Sequence, residues 1–286
     1  MDFQTVSLIT AFGGSALAAA WDLKTTEIPD HIPHAMIIIA LLIFSIQSLL
    51  ENNFWPITIS LITGTVLFAL GFLMYKSGQW GGGDAKILAA IGFLLPQPIG
   101  FTPTYFPFPI SFLINVFIVG AAYMLIYATV LAVFNKKIIL SFMSDLKASS
   151  KLFGLGSVSL LAAFVILNYS LSAFFGVGIS LSSILYQSLI PLAMTVGILL
   201  IWKFARAVEG TGFTKKIVVS KLRVGDVLLE SKVWDGITEK QLVKIKKSRK
   251  KFVWIKEGVR FAPTFPLALA ASLYFGDLIL LIRLLI

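Results

Sequence analysis

The chain has 286 residues, 57% of them hydrophobic and 13% charged, with a mean hydropathy of +0.90. A soluble domain carries about 25% charged residues, so this composition excludes an ordinary soluble protein and predicts an integral membrane protein. Cys is absent and only His31 and His34 are present, which leaves no disulfide framework, thiol nucleophile, cysteine-held zinc or iron–sulfur cluster, and the net charge of +10 has to be explained by where the cations fall.

Crossing a hydrocarbon core takes roughly 20 apolar residues per helix. Runs of that kind fall at 4–21, 33–50, 56–75, 85–100, 108–134, 152–172, 180–203 and 262–285, predicting an all-α polytopic membrane protein of about eight transmembrane helices. The first run lacks a basic leading region and a small-residue cleavage site, so it reads as structural rather than as a removable signal. The fourth is the shortest, because Pro96 and Pro98 should end it, and it begins at the sequence WGGGDAK, residues 80–86.

Between the seventh and eighth runs lies the one stretch suited to a folded polar part. KKIVVSKL reads as a strand, RVGDVLLE as a turn into a second strand, and KFVWIKEGVRF as a strand leading to the last span. GITEKQLVKIKK reads as a short helix, its start marked by Thr238 with Gln241 three residues on. The expected organisation is a membrane domain at 1–204 with an added helical hairpin near 152–203, a small basic cytoplasmic α+β insert at 205–260, and a C-terminal transmembrane helix at 261–286. An insert of this size should lean on the membrane domain for stability.

Cations fix the expected orientation. Lys24, Lys76 and Lys86, four cations in 135–151 and sixteen in 203–260 account for all but Arg283, while the connections near 51–55, 96–107 and 173–179 carry none. Eight spans place every basic segment on one face, which the positive-inside rule makes cytoplasmic, with both termini outside. The segment 203–260 holds sixteen cations and six anions, which equals the whole-chain excess. Its KIKKSRKK run, 244–251, is placed to meet anionic lipid headgroups, and no nucleic acid partner is expected, since stacking positions and a binding motif are both missing.

Five of the fourteen acids lie near span ends: Asp22, Glu27, Asp30, Asp84 and Asp277. Asp22 closes the first span and Asp84 opens the fourth, on the same predicted face. Two carboxylates brought together there share one proton, one acting as general base on a water and the other as general acid toward a carbonyl oxygen, which suffices for peptide hydrolysis without metal or cofactor. Gly81, Gly82 and Gly83 would let a neighbouring chain approach Asp84 closely. The plainer alternative is a flexible turn with a helix-capping Asp.

WGGGDAK resembles the GxGD signature of the type IV prepilin peptidases and archaeal preflagellin peptidases, with Gly81, Gly83 and Asp84 on the motif's fixed positions. WDLKTTEIPDHIP, 21–33, resembles the family's other catalytic segment, an Asp ending the first peptidase helix followed by a polar stretch and Ile-Pro. RVGDVLLE, WDGIT and KEGVRFAPTFPLALAASLYFGDLI are similar to the insert and last helix of archaeal members. The resemblance implies a GxGD aspartic membrane protease. Its catalytic residues would be Asp22 and Asp84, and its substrate a prepilin or preflagellin cut on the cytoplasmic side between a short basic leader and a hydrophobic segment. A methylation domain with paired Cys motifs, found in many bacterial relatives, is missing, so N-methyltransferase activity is not expected. The hairpin near 152–203 exceeds the commoner six-span layout.

Among the remaining residues, Lys86 either orients the site or is an ordinary cytoplasmic lysine. Glu27 and Asp30 are candidate contacts for the leader's cations or members of a solvated loop. His31 and His34, three apart on a helix, have a metal-compatible spacing but no third ligand nearby, so packing is expected of them and no metal site. Asp277 is assigned to helix packing. The rival readings are a polytopic transporter using boundary carboxylates, another GxGD intramembrane protease, and a non-catalytic scaffold. A transporter is disfavoured because no inverted repeat is found and the acids sit at the boundary rather than the midplane.

Overall fold

Helix α1 (Phe3–Thr25) starts where the Asp2 carboxylate accepts the Thr5 N–H at 2.8 Å, and it stops at Thr26, whose φ of 62° takes the chain out of the helix. The structure, a computed structural model, describes residues 2–97, 105–231, 236–248, 251–256 and 258–280. Helices α2 (His31–Leu50) and α3 (Trp55–Lys76) follow, the second opening with Pro56 in its first turn, where a missing N–H costs nothing. Next come α4 (Gly82–Leu94), α5 (Phe108–Phe134), α6 (Lys136–Ala148), α7 (Ser150–Phe174) and α8 (Leu181–Gly212), which carries Pro191 in its interior. The chain then forms β1 (Thr214–Val218), β2 (Val227–Leu228), α9 (Glu239–Lys246) and β3 (Phe252–Lys256), and closes with α10 (Thr264–Phe275).

Six of these helices, α1, α2, α3, α5, α7 and α8, are long and apolar enough to cross a membrane. The other two expected spans, at 85–100 and 262–285, form shorter helices over the described residues: α4 has 13 residues and α10 has 12. At 1.5 Å per residue each is under about 20 Å long, against a hydrocarbon core of about 30 Å. Leu95 leaves the helical region at φ −126° because it precedes Pro96, and Gly276 ends α10 with φ 69°. Pro98, Arg283 and the ends of both runs lie outside the described residues, as do Trp234 and Asp235 of WDGIT and two residues of the KIKKSRKK run. What these short helices lack in length they make up in enclosure. Ile87, Leu88, Ala89, Ala90 and Leu94 of α4 and Phe265, Ala268 and Leu269 of α10 are inaccessible to solvent and form the centre of the core with Phe108, Phe112 and Val116 of α5.

Helices α3 and α4 meet through glycines. A Cβ placed on Gly71 of α3 would lie 2.9 Å from Ala85 Cα, one on Gly64 would strike the Phe93 ring at 2.3 Å, and one on Gly92 of α4 would lie 3.2 Å from Gly64 Cα. Small residues in this position let two backbones approach inside lipid, where van der Waals packing rather than the hydrophobic effect holds helices together. Ser60 adds a 2.6 Å hydrogen bond to the Phe93 carbonyl. At the far end of the unit Asn115 of α5 donates to Ser272 Oγ at 2.9 Å and to the Gly276 carbonyl at 2.7 Å, and it accepts the Leu278 N–H at 3.1 Å.

The chain divides into two compact units, one drawn from 1–126 and 214–286, the other from 127–213. The first therefore contains the polar insert and α10 together with the first four helices. The second comprises the end of α5 with α6, α7 and α8, and so begins earlier than a hairpin at 152–203. Helix α6 occupies the basic segment 135–151: Asn135 accepts the Lys137 N–H at 3.2 Å to start it, Ile138 is buried with Leu131 and Val208, and Phe142 meets Phe204 edge-on at 5.6 Å. Inside this unit the partly buried ammonium of Lys203 is paired with Asp145 at 2.7 Å, which removes the cost of an unpaired charge.

The insert folds as a three-stranded antiparallel sheet in the order β1-β3-β2 with α9 beside it. The strand read from KKIVVSKL ends at Val218, after which Val219–Lys221 form a 3₁₀ turn. Gly225, with φ 97°, makes the turn into β2. Thr238 and Gln241 cap α9 reciprocally, as their spacing predicts: the Thr238 N–H donates to Gln241 Oε1 at 2.8 Å and the Gln241 N–H to Thr238 Oγ1 at 3.4 Å.

Candidate active site

The last turn of α1 carries Asp22 and the first turn of α4 carries Asp84, so the two carboxylates come from helix ends that meet. Both are buried, both line one cavity of about 670 Å³, and their charges interact. The Asp84 Oδ2 accepts the Gly81 N–H at 3.0 Å, a carboxylate reaching back to the residue that opens its own helix. The Asp22 Oδ2 accepts the Ala262 N–H at 3.0 Å, from the segment that returns from the insert to the membrane domain.

Each glycine of the GGG run has a different neighbour. A Cβ on Gly83 would lie 2.8 Å from Ile28 Cβ, so this position must be bare for the segment after α1 to pack on the start of α4. At Gly81 the same atom would meet Asp84 Oδ2 at 3.1 Å. At Gly82 it would find the Tyr75 ring at 3.7 Å, an ordinary contact. The run thus serves close packing around Asp84: Gly82 and Gly83 are helical rather than a turn, while Asp84 does cap the start of its helix, as the plainer alternative had it.

One wall of the cavity is formed by 26–28, 79–84 and Asp22, the other by insert residues that include Gly225, Asp226, Val227, Ile255 and Gly258. Glu27 lines it, with Oε1 3.6 Å from where a Gly225 Cβ would stand. Asp30 and Lys86 do not line it. They pair with each other at 2.6 Å, tying the start of α2 to α4, and the Lys86 ammonium holds the Asp30 carboxyl below the usual carboxylate range. His31 packs edge-on to Trp21 at 6.4 Å, and among the described residues no three His, Asp or Glu side chains gather as a metal cluster. Asp277 is buried beyond α10, where Oδ2 accepts the Tyr105 and Phe106 N–H groups ahead of α5.

Several residues at this site escaped sequence reading. Arg260 is partly buried, its Nε donates to the Leu23 carbonyl at 3.0 Å, and its charge acts on Asp22. Phe261 is clasped by Trp80 at 5.6 Å and Phe265 at 5.9 Å, and a Cβ on Gly120 of α5 would sit 3.1 Å from its ring. Beyond the resemblance of KEGVRFAPTFPLALAASLYFGDLI to archaeal members and its place ahead of the last apolar run, nothing in the sequence assigns these residues a role.

Residues 9–125 match the Type IV leader peptidase family, and both aspartates and the glycine run fall inside that match. The chain is similar to a prepilin peptidase of Methanothermobacter thermautotrophicus (29% identity over 138 residues, 44% of this chain and 36% of the relative). It is also similar to preflagellin peptidases of Methanocaldococcus jannaschii (31% over 120 residues, 38% and 51%) and Methanococcus voltae (34% over 113 residues, 36% and 48%). The matched region thus spans about half or less of these relatives' own lengths. Within the matched stretch the two aspartates stand on the wall contributed by the first four helices. The opposing wall, from 225 to 261, lies beyond the family match.

Proposed function

We propose that the chain is a membrane aspartic endopeptidase that removes the short leader of a type IV prepilin or preflagellin, with Asp22 and Asp84 as its catalytic pair. The observation that carries this reading is the convergence of two buried carboxylates, from separate helix ends, on one cavity. One carboxylate, ionised, takes a proton from water as the water oxygen attacks the scissile carbonyl carbon. The other, protonated, gives its proton to the carbonyl oxygen, and collapse of the tetrahedral intermediate returns a proton to the leaving amine.

The cation distribution supports a cytoplasmic location for the cavity and the insert, and an extracytoplasmic one for both termini. There the basic leader would meet Glu27 on the cavity wall while the hydrophobic segment stays in the bilayer. Asp30 and Lys86, turned to each other, support the fold rather than the substrate. The lysine-rich run of the insert would lie against anionic headgroups.

The test is co-expression in membranes of tagged prepilins and preflagellins with the wild type, Asp22→Asn or Asp84→Asn, accumulated to equal levels. Shortening of the substrate by the wild type alone supports the pair. Normal cleavage by both variants rejects it, and failure of the wild type on all the leaders rejects the peptidase reading.

A further inference from the structure

Asp22 stands at an electrostatically poor place for a carboxylate. It lies in the last turn of α1, where the unpaired carbonyls give the helix end partial negative charge, whereas Asp84 in the first turn of α4 faces the favourable pole. An ionised Asp22 therefore needs compensation from outside its own helix. Two groups supply it, and both come from the segment 258–262 that leads out of the insert, some 240 residues away in sequence: the Ala262 N–H on Oδ2 at 3.0 Å, and Arg260, whose Nε is anchored on the Leu23 carbonyl at 3.0 Å.

The segment is held at both ends. At one, a Cβ on Gly258 would lie 3.1 Å from the Thr26 carbonyl oxygen, so the strap runs against the C-terminal turn of α1 with no room for a side chain. At the other, Phe261 is packed between Trp80 and Phe265, and Trp80 directly precedes the glycine run that presents Asp84. The Gly258 and Phe261 contacts together register the strap against the end of α1 and the segment leading into α4. Asp84 from α4 lines the same cavity as Asp22, and Arg260 from the strap bonds the carbonyl of Leu23, the residue after Asp22, so one charge of each sign lies near this carboxylate.

We infer that the 258–262 strap is a third component of the catalytic site and that Arg260 is a positioning residue, which orients Asp22 and balances its charge so that it serves as the base while Asp84 carries the proton. The inference rests on the peptidase reading. It makes the insert part of the chemistry, and it places the completing residues outside the stretch that matches the family.

The experiment compares wild type, Arg260→Ala and Arg260→Lys in membranes, with cleavage of one tagged leader substrate followed over a range of substrate concentrations. Wild-type cleavage establishes the reading on which the inference depends, so a silent wild type would count against that reading and not specifically against the strap. With an active wild type, Arg260→Ala is expected to lower kcat at least about 10-fold, because it removes both the compensating charge and the charge-assisted hydrogen bond that holds the Leu23 carbonyl beside Asp22, with KM changed less than about 2-fold. Arg260→Lys is expected to restore most of the rate, because it restores the charge. A structural role alone would not distinguish Lys from Ala in kcat among equally accumulated variants. Wild-type activity in Arg260→Ala, a change confined to KM, or a Lys variant no better than Ala would each overturn the assignment. As a second probe, Gly258→Val pushes the strap off Thr26 without touching Arg260 or either aspartate. It is expected to lower kcat as well, and an unchanged kcat would overturn the strap's role.

Discussion

Gly83 and Ile28 touch so closely that a single added carbon on the glycine would lie 2.8 Å from Ile28 Cβ. This contact joins the two segments that carry the aspartates, since Ile28 follows the end of α1 and Gly83 directly precedes Asp84. Gly83→Ala is expected to destabilise the protein by about 1–3 kcal/mol, the cost of overpacking, and to lower cleavage. Gly82→Ala, whose Cβ would meet the Tyr75 ring at 3.7 Å, should be tolerated. Thermal unfolding in detergent and membrane cleavage assays distinguish the two, and equal behaviour would refute the packing argument.

A second prediction concerns Gly71. Its missing side chain lets α3 lie against the backbone of Ala85, 2.9 Å from where a Cβ would be, and Ala85 adjoins Asp84. Gly71→Ala must displace α4 and should reduce both the unfolding temperature and the cleavage rate. Gly13→Ala in α1, with nothing within 4 Å of the new carbon, is the matched control and should gain slightly from helix propensity.

The pair of Lys86 and Asp30 gives a pH dependence of known sign. Lys86 holds the Asp30 carboxyl below its ordinary value of 3.8, so this group's contribution to the folded state is fully present above 3.8 and is lost as pH falls below that value and through the lowered one. The Asp30 side chain is 63% exposed, so solvent screening keeps the contribution under about 1 kcal/mol. Asp30→Asn should therefore lower the unfolding temperature slightly at pH 7 and progressively less as the pH is taken below 3.8, with the difference shrinking in high salt.

Asn115 closes a buried polar network at the other end of the same unit. Asn115→Ala leaves the Gly276 carbonyl and the Leu278 N–H without this partner and should cost about 1–3 kcal/mol, read as a lower unfolding temperature. Cleavage per folded molecule at a permissive temperature should stay at the wild-type level, because the network does not reach the cavity.

A fifth prediction follows from a site made of two carboxylates. EDTA should leave cleavage unchanged, and complete inhibition that is reversed by adding back a divalent cation would contradict the aspartate mechanism.

The sequence by itself determined the membrane class, the approximate position of every long helix, the strands and capped helix of the insert, and the two aspartates as the residues to test. These are local properties: apolar runs, a capping pair three residues apart, a carboxylate next to glycines. Local patterns did not distinguish α4 and α10, which are as apolar as the spanning helices but, over the described residues, shorter than them and enclosed among them, since hydropathy reports dislike of water and not whether lipid or protein replaces it. For the same reason the basic segment 135–151 gives no sign of α6, whose Ile138 and Phe142 find their partners only on α5 and α8. Tertiary structure alone decided that Asp30 faces Lys86 while Glu27 faces the cavity, and that Ala262 and Arg260 serve Asp22. A backbone N–H carries no sequence signature, and a contact spanning 240 residues exists only once the core has brought its two ends together.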